Sequence, residues 1–77
     1  MERFLQYSLR HGRPIRLIWL TEEGQLCQGR VTVTALETEH LTALRKRPRG
    51  ELRLALAQVL SADYIPGDEG QGEEETP

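Results

Sequence analysis

The chain has 77 residues, 12 Asp or Glu against 10 Lys or Arg, one Cys and a formal net charge of -2. That length holds one small domain, which buries only about 60% of the surface of its unfolded chain, and this argues against a deep enzyme cleft. No apolar run reaches the roughly 20 residues of a membrane span, Met1 to Gly12 lacks the pattern of a signal peptide, and a lone Cys27 suits a reducing compartment, so a soluble, cytoplasmic protein with no membrane partner is expected.

Glu2 to His11 contains no Gly or Pro and sets Phe4, Leu5, Ser8 and Leu9 on one helical face, with Gly12 as a stop. A short N-terminal helix over 2–11 follows. Beyond Arg13-Pro14, Ile15 to Thr21 alternates Ile15, Leu17 and Trp19 against Arg16, Ile18 and Leu20, the pattern of a strand with both faces partly covered. Residues 22–25 supply a turn. Gln25 to Leu36 reads as a second, half-buried strand, with Val31, Val33 and Ala35 set against Arg30, Thr32 and Thr34, and Gly29 predicts a bulge or sharp bend inside it.

Glu37 to Glu39 is a second turn, and His40 to Lys46 a third strand running up to a hairpin tip at Arg47-Pro48-Arg49-Gly50. Glu51 to Ala57 alternates Leu52, Leu54 and Leu56 with polar or small residues as a fourth strand, while a helix over 51–62 remains open because Leu favours helix. Val59, Leu60, Tyr64 and Ile65 close the body as a short strand or a single turn. Residues 66–77 carry five acids and neither a base nor a hydrophobic residue, and are expected to form a disordered acidic tail. The body, 1–65, then holds seven acids against ten bases, a charge of +3. The fold expected is mainly β: an N-terminal helix, then a small, strongly bent, partly open antiparallel barrel of four to five strands, since closure hides the edges of so small a sheet.

Four stretches carry a family resemblance: Tyr7-Ser8-Leu9-Arg10-His11-Gly12-Arg13 leading into Ile15-Arg16-Leu17-Ile18-Trp19; Gly24 with Arg30; Leu41-Thr42-Ala43-Leu44; and Glu51-Leu52-Arg53 leading into Val59-Leu60-Ser61-Ala62. In their order they resemble the WYL domain, the small Sm-like, SH3-like barrel of bacterial regulators. The resemblance implies a non-enzymatic regulatory module that binds a nucleotide-like ligand, nucleic acid or a protein partner. Glu23-Gly24 with Gly29-Arg30-Val31 is similar in spacing to the first motif of Sm and Hfq-type RNA-binding proteins, which implies RNA binding or a homo-oligomeric assembly as the alternative.

The one dense basic cluster is Arg45, Lys46, Arg47 and Arg49, placed on the hairpin where side chains reach phosphates, or where charges keep an edge strand from pairing with another chain. Arg30 joins it as a candidate, and Arg10, Arg13 and Arg16 would widen the basic surface if they converged. Tyr7 and Tyr64 are the rings expected to be exposed for base stacking, whereas Trp19 shares the parity of Ile15 and Leu17 and is assigned to the core. Cys27 and His40 lack the framing of a nucleophile and base, and the spacing of residues 11, 27 and 40 does not give the close pairs of a zinc site. No enzyme activity, cofactor or metal is expected.

Overall fold

A computed structural model describes residues 2–46 and 48–65. The hairpin candidate Arg47 and the acidic tail, 66–77, lie outside the described residues. Helix α1 spans Glu2–His11, with Glu2 in its first turn and Arg10 and His11 in its last, the charge order that the helix dipole favours. It ends at Gly12, whose φ of 65° is a left-handed conformation suited to glycine and whose N–H donates to the Ser8 carbonyl at 2.9 Å.

Five strands follow: β1 Ile15–Leu20, β2 Leu26–Leu36, β3 His40–Lys46, β4 Arg49–Ala55 and β5 Val59–Tyr64, with a 3-10 turn at Leu56–Gln58 before β5. The segment left open between strand and helix is therefore strand, turn and strand. Every neighbouring pair is antiparallel, in the order β4-β3-β2-β1-β5. The β1–β2 turn is held by Thr21, whose Oγ1 accepts from the Gln25 N–H at 3.0 Å, and by Gly24 at φ 87°.

Among the described residues the sheet does not close into a barrel, because β4 and β5 remain edges with no ladder between them. Closure is replaced by cover. Leu5 of α1 and Leu56 of the 3-10 turn pack on the core of Ile15, Leu17, Trp19, Val31, Val33, Leu41, Ala43, Leu54, Val59 and Ala62, shielding the apolar face of the sheet. Gln58 fastens that turn: its Oε1 accepts from the Ala55 N–H at 3.0 Å, and its Nε2 donates to the Leu20 carbonyl at 2.8 Å.

The bulge expected at Gly29 is not there, since Gly29 sits in regular register opposite Leu17; the register shifts occur at Ile18/Trp19 and Val33/Ala35. A Cβ there would stand 4.0 Å from Cη2 of Trp19, an ordinary van der Waals contact.

Ser8 joins helix to sheet. Ile15 pairs with Val31, and two steps back in the same register Arg13 faces Val33. At that position the buried Ser8 hydroxyl stands in the ladder, donating to the Arg13 carbonyl at 2.7 Å and accepting from the Val33 N–H at 2.8 Å. The helix thereby bridges the Val33 N–H and the Arg13 carbonyl just ahead of β1.

Candidate functional site

Successive residues of a strand point to opposite faces, so the register sorts the basic residues of the sheet. Arg45 pairs with the buried Val31 and belongs to the core face, where its guanidinium lies 5.6 Å from the centroid of the Trp19 ring. Lys46 and Arg49, opposite each other, belong to the outer face. The hairpin bases expected as one cluster are therefore divided by strand alternation.

On the outer face the register assembles a different group. Asp63 of β5 pairs with Arg16 of β1, Arg16 with Arg30 of β2, and Lys46 of β3 with Arg49 of β4. Arg30 falls opposite Lys46, one step beyond the Val31–Arg45 pair. The result is a row across all five strands, read as Asp63, Arg16, Arg30, Lys46, Arg49, with every member exposed. At about 4.8 Å between strands, the four bases span roughly 14 Å.

Like charges directly opposite one another destabilise a sheet, and here two such pairs adjoin. Little in the row relieves them. The Asp63 Oδ1 accepts from the Tyr64 N–H at 2.8 Å, and none of the four bases has an ion pair among the described residues. Glu51, two residues beyond Arg49 on β4, is the other carboxylate that the register brings near. Arg53, further along β4, is by contrast matched by Glu37 at 3.5 Å.

Of the sequence candidates, the structure brings together Arg30, Lys46 and Arg49, adds Arg16 to them, and separates Arg45. Arg10 and Arg13 are exposed but lie on α1 and in the segment before β1, outside the row. Tyr7 and Tyr64 differ from expectation: both are half-buried and meet edge to face at 4.9 Å, with Phe4 edge-on to Tyr64 at 4.7 Å. They join α1 to β5, where ring contacts add to packing, and are not open platforms for bases. Trp19, 2% exposed, lies in the core as expected. Among the described residues the outer face of the sheet thus carries charge without an aromatic ring.

The signal for Arg16 was present in the alternation of β1, which sets it opposite to Ile15 and Leu17. What alternation alone lacks is the register that brings Arg16 beside Arg30.

A separate open cavity of ≈ 350 Å³ lies between Glu2 and Leu5 of α1, Leu36, Glu37 and Thr38 at the β2–β3 turn, and Leu56; it shares no residue with the row. Cys27 is a half-buried free thiol that the register sets beside Trp19. Among the described residues no group of three or more His, Cys, Asp or Glu could hold a metal ion, and no helix is long and apolar enough to cross a membrane. No family model matches the chain, and no curated protein or solved structure was found to be similar to it.

Proposed function

We propose that this protein is a non-enzymatic, cytoplasmic regulatory module of the WYL-like or Sm-like kind, with an open sheet in place of a closed barrel, and that it holds nucleic acid by its phosphates. The observation that carries this reading is the exposed row of Arg16, Arg30, Lys46 and Arg49, in which two like-charged pairs lie opposite each other without ion-pair partners among the described residues. An external polyanion would relieve that repulsion. The lack of a ring on the same face favours contact with the backbone of the nucleic acid over stacking of its bases, and hence little preference among sequences. The order of one helix and five consecutive antiparallel strands supports that likeness in the sequence of elements.

The test is a salt titration with a mixed-sequence single-stranded RNA and the matching DNA. Four phosphate contacts give a slope of about -2.8 in log affinity against log salt for a single strand. Absence of binding at low ionic strength overturns the nucleic-acid reading.

A homo-oligomer is the second reading, favoured by one edge of the sheet. Strand β4 presents Arg49, Glu51 and Arg53 at its edge, charges that discourage pairing with another chain, whereas β5 presents Leu60, 52% exposed. Leu26, 67% exposed, is a further uncovered side chain of the sheet. Sedimentation velocity over rising concentration decides it: a monomer throughout removes the oligomer, and Leu60→Lys should restore a monomer if one forms.

A further inference from the structure

We infer that a second copy of this chain docks face to face on the outer face of the sheet, through the apolar side chains at the β1–β2 end, which rests on the homo-oligomer reading and names its surface and geometry. Alternation places Ile18 and Leu20 of β1 and Leu26 of β2 on the outer face, with Leu20 and Leu26 directly opposite each other. Strand β5 adds Leu60. The β1–β5 register passes from Ile18–Ser61 to Trp19–Val59, so Leu60 is the extra residue of a bulge, and it stands exposed beside Ser61 while Val59 and Ala62 are buried. Leu26 is 67% and Leu60 52% exposed, with Ile18 and Leu20 half-buried between them. Helix α1 and the 3-10 turn pack on the opposite face, so among the described residues this apolar patch has no cover.

Charge says what covers it. The patch lies between the exposed Arg16–Arg30 pair on one side and Glu22 and Glu23, exposed in the β1–β2 turn, on the other. That turn is closed by the Gly24 N–H, which donates to the Thr21 carbonyl at 2.9 Å. At about 3.3 Å per residue, the basic pair and the acidic turn each lie roughly 10 Å from the Trp19–Cys27 rung at the middle of the patch. The hairpin therefore reads base, apolar, acid along its length, evenly spaced about the apolar centre. Turned end to end, that order is its own complement.

A two-fold axis between the facing sheets, running across the strands, sets Glu22 and Glu23 of each copy against Arg16 and Arg30 of the other, with the leucines meeting in the middle. An axis along the strands would stack turn on turn and base on base, so charge selects the first. A nucleic acid or an anionic surface laid on the whole patch would meet the bases but be repelled by the turn. The bulge at Leu60 also favours docking by the face, because a bulge disrupts the edge that a paired strand would extend. Each hairpin stays over its counterpart, so Arg16 and Arg30 are covered while Lys46 and Arg49 remain open. Self-association and phosphate binding then exclude each other at Arg16 and Arg30. The overlap runs about 20 Å along three strands and about 14 Å across them, roughly 600 Å² over both copies. That is below the roughly 1,200 Å² of a standard stable interface, so the dimer is weak and exchanges with monomer.

The test is sedimentation velocity at low salt, over rising concentration, on the full-length protein and two charge-reversed chains, one with Glu22→Lys and Glu23→Lys, the other with Arg16→Glu and Arg30→Glu. The unaltered chain should move toward dimer, each reversed chain alone should stay monomeric at the same concentrations, and their equimolar mixture should regain the dimer, because each turn then meets an opposite charge. Equal dimerisation of all three chains overturns docking by the face and leaves the homo-oligomer standing through another surface. Reversed chains that stay monomeric when mixed overturn the end-to-end arrangement. A monomer of the unaltered chain at every concentration overturns both the docking and the oligomer reading, and leaves the nucleic-acid reading untouched.

Discussion

The two faces of the sheet are built from the same strands, one residue out of step, and they answer to opposite demands. On the core face, Ile15 pairs with Val31, Val33 with Ala43 and Leu41 with Leu54, all buried. On the other, Arg16 pairs with Arg30 and Lys46 with Arg49, all exposed. Hydrophobic burial makes each core-face pair cooperative with its neighbours, whereas each basic pair opposes its own strand pairing. The stability of the domain is therefore concentrated on one face, and the other is free to hold charges arranged against the interests of the fold. Repulsion that folding does not require is a better pointer to a binding surface than an abundance of charge, which any solvated face can show.

Substitutions on the two faces should separate stability from binding. Leu41→Ala, at a fully buried position, should lower stability by about 2–5 kcal/mol in denaturant unfolding, and a loss no larger than that of an outer-face change would break the contrast. Ser8→Ala removes the hydroxyl between Arg13 and Val33, leaving a buried N–H and a carbonyl without that partner; a loss of about 1–3 kcal/mol is expected, with faster hydrogen exchange at Val33. Gly12→Ala, at a positive φ, should lose about 1 kcal/mol in the same unfolding measurement. Arg30→Gln should move stability by no more than about 0.5 kcal/mol, and upward, because it relieves Arg16. In a salt titration the same change should reduce the RNA-binding slope by about 0.7, and an unchanged slope would remove Arg30 from the interface.

Much of the architecture was legible from local pattern. The helix is bounded by its apolar face and Gly12; β1 and β2 follow from alternation, and β3 and β4 from the turn residues between them. The core placement of Trp19 follows from its parity with Ile15 and Leu17. The register shifts were not legible, because they arise at residues with no distinctive local chemistry, while Gly29 sits in regular register. The segment after Ala55 was ambiguous since Leu and Ala suit both strand and helix; what decides it is Gln58, which bonds to Leu20, 38 residues earlier.

For the site, proximity in sequence misled. Arg45 and Lys46 are adjacent in the chain and lie on opposite faces, and Arg16 and Arg30, 14 residues apart, are cross-strand partners. The third strand disguises its parity further, because Leu41 is buried while Leu44 is 50% exposed on the outer face. Tyr7 and Tyr64 could not be paired from sequence, since their contact exists only once β5 has docked beside α1.

The Gln58 clasp has a dynamic consequence. Ala55 offers its amide to a side chain at the point where β4 ends, and the same side chain reaches the end of β1. Release of the 3-10 turn from β1 breaks the Gln58–Leu20 bond and loosens the side chain that caps the Ala55 amide, so faster exchange of that amide is expected when the crossover to β5 opens. This places a single backbone hydrogen as the gauge of how often the sheet comes undone at its last-added strand.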